Sequence, residues 1–131
     1  QGLPILKPPY SQIVAIDMNT GEHIWAIPNG DTPDRIKNHP ALQGVDIPNT
    51  GVQSHPITMV TGTLLVTAEG GAGQPVLHAV DKATGERLGT VELPASGRYG
   101  MMSYMDDGQQ YIVVAVSSPN YPGALAALRL P

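Results

Sequence analysis

Cysteine is absent from this 131-residue chain. That excludes a disulfide framework and any thiolate-held zinc site, without choosing between cytoplasm and periplasm. Charge is sparse, at 14% of residues, with a net charge of -4 at pH 7. The seven basic residues are scattered from Lys7 to Arg129. Nucleic acid is therefore not an expected partner, because its binding needs concentrated positive charge to displace counterions. No apolar run approaches the roughly 20 residues of a membrane-spanning helix. The chain opens on Gln-Gly-Leu-Pro, without Met or a leader, close to a first strand. The expectation is a piece of a longer polypeptide that would carry any targeting signal.

What is abundant is glycine and proline, at 15 and 13 residues. Both are poorly tolerated inside helices and are needed in turns, so the composition points to an all-β chain. Short β-branched runs separated by turn residues read as hairpins. Gln12 to Asp17 and His23 to Ile27 flank Asn19-Thr20-Gly21. Pro56 to Val60 and Thr63 to Ala68 flank Thr61-Gly62. Val76 to Asp81 and Arg87 to Leu93 flank Ala83-Thr84-Gly85. Met101 to Met105 and Gln110 to Ser117 flank Asp106-Asp107-Gly108. A last strand is expected over Ala124 to Leu130. Tyr111 to Val116 is apolar at every position, the pattern of a strand covered on both faces. Between Pro28 and His55, prolines 28, 33, 40 and 48 break a long excursion, with one helical turn expected at Asp34 to Lys37. Loops of this length are often functional.

One pattern occurs twice. Ala15-Ile-Asp17-Met-Asn-Thr20-Gly21-Glu and Ala79-Val-Asp81-Lys-Ala-Thr84-Gly85-Glu stand 64 positions apart. Repeated strand pairs marked by the same turn are the signature of stacked units. In a propeller, blades of four antiparallel strands surround a central channel. The repeat would supply the outer strands C and D, and the plain hairpins the inner strands A and B. The excursion accounts for a spacing wider than the roughly 40–45 residues of a common blade. The predicted layout is an outer hairpin at 1–27, the excursion at 28–54, a complete blade at 55–93 and a closing blade without its outer strand at 94–131. Gly21 and Gly85 suit a positive-φ turn position. Asp17, Thr20, Asp81 and Thr84 suit side-chain bonds to turn amides. Ala15 and Ala79 are small where a neighbouring ring could lie. All of these read as structural.

The first pattern continues to Trp25. A-x-D-x-x-T-G-x-x-x-W resembles the tryptophan-docking motif of eight-bladed quinoprotein dehydrogenases, which carry pyrroloquinoline quinone (PQQ). In that family the Trp ring stacks between the motif's Ala and the peptide at the Gly of an adjacent motif. Ala15, Gly21 and Trp25 match, as do Ala79 and Gly85, whereas Gly89 stands in the second Trp position. The stretch from Gly2 to Trp25 and the stretch from Leu93 to Val116, followed by Ala-Leu-Arg-Leu-Pro, resemble late segments of membrane-type glucose dehydrogenases of the same family. The resemblance implies a partial propeller of about two blades from a chain of several hundred residues. It also implies PQQ with calcium or magnesium, a sugar or alcohol substrate, a quinone or cytochrome electron acceptor, and a periplasmic location. The remaining blades would be this chain's partners, with the catalytic base and the cofactor-anchoring Lys upstream of it. A non-catalytic scaffold for protein partners and a degraded remnant of such an enzyme are the alternatives.

In a propeller the D–A and B–C loops open on one face, where a ligand would meet them. Here the D–A loops are Gln53-Ser54-His55 and Gly97-Arg98-Tyr99-Gly100. The B–C loops are Glu69 to Gln74 and Ser117 to Tyr121. Gln53, Ser54, His55, Glu69, Arg98, Ser117 and Ser118 are accordingly the candidate cofactor-binding residues. The glucose-oxidising relatives have Gly-Gly-His where this sequence has Ser117-Ser118-Pro119, and an Asp for which Glu69 or Gln74 is the nearest counterpart. Glu69 reads first as an exposed loop carboxylate and second as an anion- or metal-facing group. His55, ahead of an inner strand, reads as a capped strand end or a helper to binding. His23, His39, His55 and His78 show no metal-ligand spacing, and Asp31 with Asp34 falls short of the roughly six oxygens of a calcium site. No metal site is assigned. Gly70-Gly71-Ala72-Gly73 opens no helix, so a nucleotide cradle is excluded.

Overall fold

The computed structural model describes residues 2–129. Leu130 of the predicted last strand and the Pro131 that follows lie outside the described residues, as does Gln1. The chain is all-β and antiparallel, a partial β-propeller. Its described strands are β1 (Gln12–Ile16), β2 (His23–Pro28), β3 (Ile57–Val60), β4 (Leu64–Ala68), β5 (Val76–Asp81), β6 (Arg87–Glu92), β7 (Gly97–Asp106), β8 (Gln109–Ser118) and β9 (Tyr121–Arg129). They form a two-stranded sheet β1-β2, a four-stranded sheet β3-β4-β5-β6 and a three-stranded sheet β7-β8-β9. Between β2 and β3 the excursion contains α1 (Asp34–Lys37) and a 3-10 turn at Pro40–Leu42. Its only fully buried side chain in α1 is Ile36.

The repeated pattern folds the same way twice. The Asp17 carboxylate accepts from the amides of Asn19 and Thr20 at 2.7 and 3.3 Å, and the Asp81 carboxylate from those of Ala83 and Thr84 at 2.8 and 2.9 Å. Gly21 and Gly85 both adopt φ 77°. The Thr84 amide above all, helped by that of Ala83, holds the Asp81 carboxyl below the usual aspartate range. The strand pairing breaks register at the same place in both copies, between Ala15 and Ile16 and between Ala79 and Val80. That irregularity puts Ala15 opposite Trp25 and Ala79 opposite Gly89.

The core lies between the second and third sheets. Val66, Ala68, Leu77, Leu93, Ala95, Val114 and Val116 are buried together. Gly97 makes this approach possible, since a Cβ there would fall 2.6 Å from the Ala68 Cβ. β8 departs from the expectation of cover on both faces. Val114 and Val116 are buried, whereas Tyr111, Val113 and Ala115 are only half-buried. The reason is positional: the core cluster joins this sheet to its neighbour on one face. On the other face Tyr104 stacks on Tyr111, with ring centroids 5.2 Å apart.

Two predicted boundaries move by more than one residue. β7 begins at Gly97 rather than Met101, so the expected loop 97–100 is an irregularity inside a strand. β9 begins at Tyr121 rather than Ala124, because Ser118 pairs with Tyr121. The expected five-residue loop Ser117–Tyr121 is thereby reduced to a turn at Pro119-Asn120. At the β7–β8 turn, Asp107 and Gly108 both take positive φ, 46° and 77°, the two-residue hairpin geometry that matches strand twist.

Candidate functional site

At one end of the second and third sheets, three segments meet: Ser54-His55 before β3, Glu69 to Gln74 between β4 and β5, and the irregular start of β7. Glycines allow the approach. Gly70, at φ 88°, lies where a Cβ would strike the His55 carbonyl and the Ser54 hydroxyl. The Ala72 amide donates to Ser54 Oγ at 3.2 Å. The Ser96 hydroxyl donates to the Gly73 carbonyl at 3.4 Å, and the Ser117 amide to the Ser96 carbonyl at 3.1 Å. Hydrogen bonds thus tie the segment before β3, the β4–β5 loop and the start of β7 into one surface.

Beneath it, Glu69 is 2% exposed and His78 4%. The exposed loop carboxylate expected from the sequence is therefore a buried one. Its position follows from strand pairing. Ala68 pairs with Leu77 and Thr67 with His78, so Glu69, one residue past the end of β4, meets the imidazole on β5. Glu69 Oε1 lies 2.9 Å from His78 Nε2, and Oε2 accepts from the Gln74 amide at 2.8 Å. His78 Nδ1 is 2.8 Å from the Thr90 hydroxyl. With Glu69 ionised, Nε2 carries the proton and donates. Asn29, also buried, donates from Nδ2 to the Glu69 carbonyl at 3.0 Å. Gly30 and Gly73 leave the room the carboxylate occupies, since a Cβ at either would come within 2.8 Å of Oε2. Both carboxylate oxygens are thus engaged in holding the 69–74 loop.

The guanidinium of Arg98 lies over Gly71, whose Cβ would fall 2.8 Å from Cζ. Arg98 Nε is buried and has no hydrogen-bond partner. The Arg87–Asp31 ion pair, at 3.2 Å, is exposed, and Arg98 belongs neither to it nor to the Glu69–His78 contact. Next to it, Tyr99 adopts φ 70° and is 89% exposed. Tyr99 lines an open depression of about 660 Å³ with Ala115, Val116, Ser117 and Gly123 to Leu125.

Among the other sequence candidates, Gln53 and His55 are exposed and Ser54 is half-buried in the loop contacts. Ser117 reaches the depression, whereas Ser118 is spent in strand pairing with Tyr121. Ser54, His55 and Arg98 therefore lie on one connected surface with Glu69 buried beneath it, and Ser118 does not join it. Among the described residues no group of three or more His, Asp or Glu could hold a metal ion. Thr90 and Asn29 escaped the sequence reading, which weighed His78 only as a metal ligand. The available signal was a histidine inside the apolar strand Val76-Leu-His-Ala-Val80.

The first sheet meets the second through Trp25. Its Nε1 donates to the Lys82 carbonyl at 3.0 Å. Its ring lies on the Gly85 peptide, where a Cβ would come 2.9 Å from Cδ2. Trp25 is half-buried, with Ala15 opposite it in the hairpin.

Comparisons with known proteins agree with this architecture. A family model described as PQQ glucose/ethanol/alcohol dehydrogenase, beta-propeller domain, matches residues 1–112. The chain is 32% identical to the quinate/shikimate dehydrogenase (quinone) of Acinetobacter baylyi, over 87% of this chain and 14% of that protein. It is 31% identical to the quinoprotein glucose dehydrogenase of Escherichia coli, over 87% and 14%. It is 29% identical to the glycerol dehydrogenase large subunit of Gluconobacter thailandicus, over 92% and 16%. The chain thus spans between 14% and 17% of the length of the curated relatives it matches.

Proposed function

Because this chain belongs to the PQQ glucose/ethanol/alcohol dehydrogenase β-propeller family, we propose that it forms one arc of a quinoprotein dehydrogenase that oxidises a sugar or alcohol in the periplasm. The observation that carries this reading is the connected surface built by the ends of two neighbouring sheets around Ser54, Gly71 and Arg98. In this reading β1-β2 is the outer half of one blade, β3 to β6 a whole blade and β7 to β9 a blade without its outer strand. The remaining blades of the same propeller are the chain's partners, and a quinone or cytochrome takes the electrons.

The donor set fits a cofactor rich in carboxylates and carbonyl oxygens. Arg98 has a buried Nε without a partner, and His55 and Gln53 are exposed in the segment before β3. These three would hold PQQ, which supplies the two-electron acceptor for the alcohol carbon when bound. Glu69 fixes the 69–74 loop against His78, and Gly70 and Gly71 keep that loop flat under Arg98. A calcium or magnesium ion does not fit the described residues: the buried carboxylate already has both oxygens bonded. Its ligands would come from elsewhere in the propeller.

The experiment is dye-linked oxidation of glucose, glycerol and quinate by the full-length gene product, with and without PQQ. PQQ-dependent turnover of any of them supports the reading. Folded protein that binds PQQ and oxidises none would favour a second reading, a non-catalytic propeller acting as a protein-binding scaffold. One observation favours that alternative: Ser117-Ser118-Pro119 enters a tight turn where glucose-oxidising relatives are expected to place Gly-Gly-His.

A further inference from the structure

We propose that the cleft between the excursion and the 69–74 loop is a subsite for a neutral polyhydroxylated ligand, with Asp34 and Lys37 as its specificity-determining side chains. The inference rests on the dehydrogenase reading, in which that ligand is the substrate.

The cleft has a volume of about 180 Å³ and lies between Asp31, Asp34, Lys37 and Val52 on one wall and residues 72–74 on the other. That is the room of about six water molecules, the scale of a triol or a monosaccharide. The cleft adjoins the connected surface, because Ala72 donates to Ser54 Oγ and Gly73 accepts from Ser96. One buried carboxylate fixes both walls from below. Gly30, at the base of the excursion, and Gly73 lie against Glu69, and Glu69 Oε2 accepts from the Gln74 amide. The excursion wall is also pinned within itself. The Val52 amide donates to the Asn29 carbonyl at 2.7 Å, the Thr50 amide to the Thr32 hydroxyl at 2.9 Å, and Ile36 buries α1. Walls ordered before the ligand arrives lower the cost of binding. Charge then selects the class of ligand. Asp34 and Lys37 stand three residues apart on one helical turn, hence on one face, and have no side-chain partner among the described residues. Asp31 is already paired with Arg87. This leaves one carboxylate beside one ammonium, a pairing that favours neither an anion nor a cation. A hydroxyl both donates and accepts, so neighbouring hydroxyls of one molecule satisfy both groups together. Val52 and Ala72 supply apolar contact for its carbon skeleton.

Binding is read by saturation-transfer difference NMR on the full-length gene product without PQQ, with glucose, glycerol and ethanol as probes. The wild type is expected to bind glucose or glycerol more tightly than ethanol, whose single hydroxyl cannot engage both side chains. Asp34→Ala and Lys37→Met should each weaken that polyol about ten-fold or more, the loss of a charge-assisted hydrogen bond. Both positions are exposed, so folding tolerates the changes. Arg35→Gln, on the same helical turn but outside the cleft, should bind as the wild type does. In dye-linked oxidation with PQQ, the two cleft variants should raise KM for the polyol while kcat holds. Wild-type affinity for both polyols in Asp34→Ala and Lys37→Met overturns the proposal, and so does a wild type that binds neither polyol. PQQ-dependent turnover with unaltered KM in both variants removes the cleft from recognition and leaves the dehydrogenase reading standing. Polyol binding that depends on Asp34 and Lys37, in a protein that oxidises nothing with PQQ, supports the cleft and counts against the dehydrogenase reading alone.

Discussion

Gly85 and Gly89 sit four residues apart in the hairpin of β5 and β6 and carry opposite constraints. Gly85 has φ 77° and its peptide supports the Trp25 ring, so a Cβ would meet Cδ2 at 2.9 Å and Ile27 at 3.2 Å. Around Gly89 a Cβ would meet nothing within 4 Å. Gly85→Ala should therefore cost about 1–2 kcal/mol for the left-handed backbone alone, with the displaced indole adding to it. Gly89→Ala should stay within about 0.5 kcal/mol of the wild type. Urea unfolding of the full-length gene product measures both, and equal effects would remove Gly85 from the docking contact. Trp25→Ala should cost less than the roughly 3–5 kcal/mol of a fully buried tryptophan, because the ring is half-buried. The repeat itself was legible at this scale. Asp, Thr and Gly at fixed offsets have few ways to satisfy a turn, so the sequence announces the geometry directly.

Loops are less transparent than turns, and the segment from Glu69 to Gln74 shows why. Its glycines mark it as a loop, but the partner of its carboxylate lies nine residues on, in a strand whose register only the folded sheet defines. Buried polar pairs across strands leave no spacing rule to read. The same holds for β7, where glycines at 97 and 100 look like a loop but belong to a strand with a register break. Strand existence was readable from β-branched runs, whereas the ends of β7 and β9 were set by pairing with β8. The loop also carries a test. Glu69→Ala leaves the His78 imidazole buried without its partner, a loss of about 1–3 kcal/mol. Hydrogen exchange should accelerate at the Ala72 and Gln74 amides while β7 and β8 stay protected. Unchanged exchange at Gln74, whose amide bonds Glu69 Oε2, would show that the carboxylate does not hold the loop.

At the scale of the whole molecule, the sheets hold two, four and three strands. Against a four-stranded blade, β1 lacks an inner neighbour and β9 an outer one. Leu125 on β9 is 75% exposed, and Met18 and Ile24 near the first hairpin are 90% and 58% exposed. Unpaired edges with apolar side chains recruit further strands. Residues 1–131 expressed by themselves are therefore expected to associate in size-exclusion chromatography, and Leu125→Lys should shift the distribution toward monomer. A sharp monomer peak with two-state unfolding would instead mark a self-sufficient β domain. The start of β7 has a consequence of another kind. β7 advances from Gly97 to Met101 while its partner advances only from Val116 to Val114. The slack confines residues 98–100 to a detachable patch between two fixed points of the ladder. Their identities can be exchanged without recounting a single strand pair, so the sequence of this patch and the register of the sheet are separately heritable traits.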